Sequence, residues 1–119
     1  MASEKMELDQ VKKLVRGALE DLKAADIVEI DMHGKTSMTD TMVIATGSSN
    51  RHVKSISENV VVTAKQAGIM PVGIEGDDLG EWVLVDLGDV IVHVMQARVR
   101  DFYQIEKLWS MDLAEPGTS

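Results

Sequence analysis

A chain of 119 residues makes one domain with a real core and leaves no room for a second. Aromatics are only 3% of it, so the interior must rest on Val, Ile, Leu, Met and Ala, and no run of about 18 uninterrupted apolar residues is present to span a membrane. Twelve basic residues against 20 acidic ones give a net charge of −8, which repels phosphate backbones; sequence-specific nucleic-acid binding is not expected, and a basic protein partner suits the charge better. The absence of cysteine removes disulfide and thiolate chemistry, and Met1–Glu7 lacks the apolar stretch of a secretory signal, so the cytoplasm is the expected location.

Along the chain, Leu8, Val11, Val15, Ala18, Leu19 and Leu22 recur at helical spacing, with Ser3 and Met6 making half a capping box before them. Val28, Ile30 and Met32 alternate with Glu29 and Asp31 as in a half-buried strand, and His33-Gly34-Lys35 reads as a turn. Met42–Thr46 is a short apolar run of the kind found in central strands. Gly47-Ser48-Ser49-Asn50 then supplies caps for a helix whose stripe is Val53, Ile56, Val60, Ala64 and Ala67 and whose end is Gly68. Its Val60-Val61-Val62 is poor in helix propensity and predicts packing on both sides of the stripe.

Pro71–Glu75 reads as a strand with proline at its first residue. Glu81–Asp86 and Val90–Met95, joined by Leu87-Gly88-Asp89, predict a β-hairpin. Within it Trp82 and Leu84 point to one sheet face and Val83 and Val85 to the other, so both faces need cover from helices or a partner. A last helix is predicted from about Arg98 to Trp109, presenting Phe102, Ile105, Leu108 and Trp109, with Tyr103 in the core. The fold class is therefore α/β, a mixed sheet packed by about three helices, with one domain over residues 1–110 and a flexible tail at 111–119.

Chemistry is sparse. The strand, Gly-Ser turn and helix start at Val43–Ser49 fit a cap, or alternatively a phosphate cradle. A metal-dependent nucleotidyl transferase would need two carboxylates on one strand; Asp86 and Asp89 are three apart across a turn, and Asp77-Asp78 are adjacent. His52 and His93 have no second ligand at metal spacing, and no G-x-S-x-G elbow exists, so no metal, cofactor or catalytic group is expected. Trp82 stands apart, either as an interface anchor or as a core residue.

Four blocks carry a family resemblance: Ala24-Ala25-Asp26-Ile27; Val43–Val53 with its T-G-S-S-x-R-H turn; Glu75-Gly76 with the W-x-x-x-D-x-G-D-x-x-V-H hairpin from Trp82; and Arg100–Trp109 with F-Y-x-x-E-x-L-W. Together they resemble the ribosomal silencing factor (Iojap) family over about Leu8–Ser110. The resemblance implies a nucleotidyltransferase-like fold without catalytic residues. It also implies a non-enzymatic factor that binds the large ribosomal subunit through ribosomal protein L-fourteen, blocks association with the small subunit and represses translation when nutrients are scarce. Organelle relatives imply a role in ribosome assembly as an alternative, and a nucleotide-binding transferase is the rival from another class. The implied partner-binding residues are Trp82, Leu84 and Asp86, then Glu75, Asp89 and His93, with Ser48, Arg51 and His52 from the Gly-Ser turn. A homodimer of the free protein through the same apolar face is a further expectation. The family often carries an aromatic where this chain has Met42.

Overall fold

The computed structural model describes residues 7–34 and 39–104. Its elements run α1 (Leu8–Asp21), β1 (Ala25–Asp31), β2 (Thr41–Gly47), α2 (Asn50–Gln66), β3 (Gly73–Glu75), β4 (Trp82–Asp86), β5 (Val90–Gln96) and α3 (Ala97–Tyr103). The five strands form one sheet in the order β1-β2-β5-β4-β3, antiparallel except for the parallel pair β2–β5 at its centre. The expected α/β class and the hairpin are both present. Every residue of β2 is buried, as its unbroken apolar run predicts for a strand covered on both faces.

The two faces are covered differently. On one, Val11, Val15, Ala18 and Leu19 of α1 and Val53, Ile56, Val60 and Ala64 of α2 pack over Val43, Ala45, Val83, Val85, Val92 and Val94. The other holds a smaller cluster: Ile30, Met32, Met42, Ile44 and Met95, with Val99 of α3 and the partly buried Val28 and Trp82. Helix α1 is also tied to β1 by Glu29, which faces Lys12 at 3.9 Å and Arg16 at 3.4 Å.

Local chemistry sets the boundaries. The Glu7 backbone N–H donates to Gln10 Oε1 at 3.1 Å and caps α1; Ser3 and Met6 lie outside the described residues. Ser49 caps α2, its Oγ accepting from the His52 N–H at 3.0 Å, and the helix gives way to Gly68 at φ +87°.

Five expectations need correction. Val62 is 44% exposed, so the valine run packs from one side only, and Ala67 is an exposed cap outside the stripe. Strand β3 starts at Gly73 rather than Pro71 and sits at the sheet edge; before it, only the Val72 N–H reaches Asp86 O, at 2.7 Å. Helix α3 follows β5 directly at Ala97 and closes at Gln104, whose left-handed φ of 47° returns its N–H to Arg100 O at 2.8 Å. With that early stop, Phe102 is 78% and Tyr103 56% exposed instead of packed. Ile105, Leu108 and Trp109 lie outside the described residues.

Candidate partner-binding face

The hairpin register builds the site. In β4, Val83 and Val85 are buried beneath α1 and α2, while the intervening Trp82, Leu84 and Asp86 are half-buried on the opposite face. Leu84 lies opposite Glu75 on β3 and His93 on β5; His93 lies opposite Ile44 on β2, which lies opposite Val28 on β1. One rank of side chains thus crosses all five strands, from an exposed carboxylate at the β3 edge to a fully buried Ile44. The neighbouring rank contains Gly73, Asp86, Ile91, Met42 and Ile30.

Trp82 stands at the end of this face, opposite Met95. Its indole Nε1–H donates to His93 Nδ1 at 2.9 Å, the two ring centroids being 5.9 Å apart. An indole nitrogen only donates, so His93 Nδ1 is the acceptor and the imidazole proton sits on Nε2. The ring stays neutral because burial pushes the imidazole down from its ordinary range to about 4. Tyr103 meets the indole at 5.0 Å in a tilted contact, and Phe102 meets Tyr103 edge-on at 4.9 Å. Between α3 and Trp82 opens a cleft of about 330 Å³, with the Glu81–Arg98 ion pair, 3.4 Å, on its wall. Neither of the two choices posed for Trp82, anchor or core, describes it alone: it packs against the second cluster and remains half-exposed.

The loop before β4 holds this arrangement close. Gly76 has φ +82°, and a Cβ there would stand 2.1 Å from the Trp82 carbonyl oxygen. The Glu75-Gly76 pair therefore joins an edge carboxylate to a backbone turn that only glycine fills without displacement.

The remaining predicted residues have other placements. Asp86 Oδ1 accepts from the Gly88 N–H at 2.8 Å and shapes the hairpin turn. Asp89, exposed in that turn, uses its carbonyl to accept from Thr39 Oγ1, Asp40 N–H and Thr41 N–H at 2.9–3.1 Å. Ser48, Arg51 and His52 sit where β2 passes into α2. His52 Nε2 faces the Leu22 carbonyl at 2.7 Å, so it carries the proton, while Nδ1 accepts from the Ser48 N–H at 2.8 Å. Both His52 nitrogens are thereby used to join the ends of α1 and α2, while Arg51 is exposed. The structure brings Trp82, Leu84, Asp86, Glu75 and His93 onto one face; it does not bring the Gly-Ser turn residues or Asp89 among them.

At the Gly-Ser turn, the N–H groups of Ser48, His52 and Val53 donate to His52 Nδ1, Ser49 Oγ and Ser49 O respectively. These are cap bonds, satisfied within the chain. Among the described residues no group of three or more His, Cys, Asp or Glu side chains is placed to hold a metal ion. No helix among them is long and apolar enough to cross a membrane. What sequence reasoning missed is the contribution of α3. Tyr103 and Phe102 extend the aromatic surface from Trp82, and the only signal for it was the order of residues after β5, because the early stop at Gln104 carries no glycine or proline marker.

Comparison with known proteins identifies relatives of the chain. A family model described as "Ribosomal silencing factor during starvation" matches residues 5–117. The ribosomal silencing factor RsfS of Chromobacterium violaceum is 53% identical over 104 residues, covering 87% of this chain and 85% of its own. A crystal structure of a protein from the same organism superposes with a TM-score of 0.86 at 53% identity, covering 87% of both chains. The mouse protein named "Mitochondrial assembly of ribosomal large subunit protein 1" is 32% identical over 90% of this chain and 46% of its own length.

Proposed function

Because the chain belongs to the ribosomal silencing factor family, we propose that it docks on the large ribosomal subunit through ribosomal protein L-fourteen and blocks small-subunit joining. It thereby represses translation under nutrient limitation in the cytoplasm, as a single domain over residues 1–110 that makes and breaks no bonds. The relatives are named as silencing factors, not as enzymes. The observation that supports a docking role is the sheet face left open by α1 and α2, on which half-buried Trp82 and Leu84 stand beside Glu75. Tryptophan is among the residues most enriched at interface hot spots, and the −8 net charge speeds encounter with a basic protein. Glu75 and Asp86 frame this centre, with Asp89, Arg51 and Ser48 as outlying contacts. His52, committed at both nitrogens, holds Ser48 by its backbone N–H and reaches the Leu22 carbonyl.

Sedimentation with separated ribosomal subunits tests this reading. Wild-type protein is expected to travel with the large subunit, and Trp82→Ala to weaken that binding by about 2 kcal/mol while the domain still melts cooperatively. Equal loss of melting temperature and affinity would make Trp82 a core residue; absence of wild-type binding would overturn the reading.

One observation favours a second role. The mouse relative is named for assembly of the ribosomal large subunit, and an adaptor in assembly would use the same face. Accumulation of large-subunit precursors on deletion, with normal subunit joining in vitro, would select it. A free homodimer through this face would compete with the ribosome, and dissociation of dimers on adding large subunits would reveal it. For the nucleotidyl-transferase rival, the Ser48, His52 and Val53 N–H groups are already taken within the chain; turnover of a nucleoside triphosphate with Mg²⁺ would revive it.

A further inference from the structure

We propose that His93 and Tyr103 are positioning residues that clamp the Trp82 indole in its binding pose before any partner arrives. The effect on affinity rests on the ribosome-docking reading above, whereas the clamp itself does not.

The geometry is specific. A tryptophan at a strand end ordinarily samples several rotamers, and a binding partner must then select one at an entropic cost. Here the indole is restrained from two directions by different chemistry. His93, 5% exposed on the adjacent strand, receives the indole N–H at 2.9 Å. Tyr103, on α3, lies against the ring at 5.0 Å with an interplanar angle of 49°, and Phe102 braces Tyr103 edge-on at 88°. The hydrogen bond also sets what a partner meets. With its only donor satisfied inside the chain, Trp82 offers carbon surface alone, so the partner group that fits it is apolar or a flat cation over the ring, not a hydrogen-bond acceptor. The restraint depends on His93 remaining an acceptor at Nδ1, and a buried neutral imidazole does so.

Tyr103 adds a consequence for the surface. It is 56% exposed and Phe102 78%, beside the cleft that Trp82 borders. Clamp and cleft together make the aromatic end of the face continuous from β4 to α3.

The test uses the full chain and four variants. His93→Leu removes the acceptor. His93→Asn restores one, because asparagine Oδ1 occupies the place of Nδ1. Tyr103→Ala removes the ring contact from an exposed position, so it leaves folding intact if His93→Leu does not. Trp82→Phe identifies the indole N–H resonance by its disappearance. Two quantities are read: hydrogen exchange of that indole N–H in the free protein, and affinity for purified large subunits. In wild type the indole exchanges slowly. His93→Leu is expected to speed the exchange and weaken binding about three- to tenfold, corresponding to one freed side chain. His93→Asn restores both. Tyr103→Ala weakens binding about threefold with an unchanged melt.

Wild-type affinity in His93→Leu, or His93→Asn behaving like His93→Leu in both measurements, overturns the role of the hydrogen bond. Full affinity in Tyr103→Ala overturns the ring contact. If wild-type protein fails to bind large subunits, the docking reading falls and the clamp's role in binding with it; the exchange data then report separately whether the indole is held.

Discussion

The two faces of this sheet share strands but follow different rules. Beneath α1 and α2 the strands present Val43, Ala45, Val83, Val85, Val92 and Val94, small apolar side chains without a polar atom among them. On the far face the alternate positions of β4 and β5 are Trp82, Leu84, Asp86, Ile91, His93 and Met95, larger and mixed in chemistry. The first set is closed by volume alone. In the second, polar groups are tied down inside the chain, Trp82 to His93 and Asp86 to Gly88, while apolar surface stays partly open. A face that only folds can be built from valine, whereas the face proposed to meet a partner has its polar atoms fixed beforehand, and an unpaired polar group at a desolvated interface would cost binding energy.

Perturbing each face in turn should expose this difference. The largest effect belongs to the helix-covered side. Ile56→Ala opens a cavity beneath α2, where the side chain is fully buried, and is expected to destabilise folding by about 3 kcal/mol in denaturant titration while the folded fraction keeps its affinity for large subunits. A parallel loss of affinity would mean that the two faces are coupled.

The next effect belongs to the open face and is pH-dependent. His93 titrates at about 4 in the folded protein against an ordinary 6.5. Above pH 6.5 both states hold it neutral and it contributes no slope. Between 6.5 and about 4 the unfolded chain takes up a proton that the folded one refuses, so stability falls with pH, by up to about 3 kcal/mol in total, and is level below that. Stability curves of wild type and His93→Asn should therefore diverge as pH falls through this window; parallel curves would show that His93 is not held neutral.

The smallest effect tests a contact that lies on neither face's core. Glu29→Gln removes the surface ion pairs joining α1 to β1 and should shift stability by less than about 0.5 kcal/mol. A larger loss would make α1 docking electrostatic rather than apolar.

The legible parts of the fold were those where a short-range pattern agreed with the long-range packing. Val83 and Val85 alternate with Trp82 and Leu84, and that parity puts the valines under the helices; the register itself, with Asp86 opposite Ile91 and the Leu87 N–H on Val90 O, turns on Gly88-Asp89, one residue tighter than the expected Leu87-Gly88-Asp89. Ser49 and Gly68 marked the ends of α2 by their own backbone chemistry. The illegible parts depended on neighbours distant in the chain. Pro71 and Val72 have strand-like composition, but pairing with β4 begins at Gly73. Phe102 begins a stripe at helical spacing and Tyr103 was expected in the core, yet α3 ends at Gln104 and both are exposed. The residues of the candidate face came from family resemblance and hairpin parity. The hydrogen bond between Trp82 and His93 was not readable, since diagonal neighbours across a hairpin can be identified only after the register is known.

The position of β5 has a consequence for synthesis. This strand, late in the sequence, is the one that joins β1–β2 to β3–β4, pairing Thr41 with Val90 and Trp82 with Met95. A nascent chain lacking Val90–Gln96 has two strand pairs with no seam between them, and contacts so distant in sequence form only after the intervening loop is closed. The Trp82 surface, with its histidine partner on that same strand, is thus assembled last. In a protein proposed to stop ribosomes, the proposed docking surface therefore waits on a strand made after the other four.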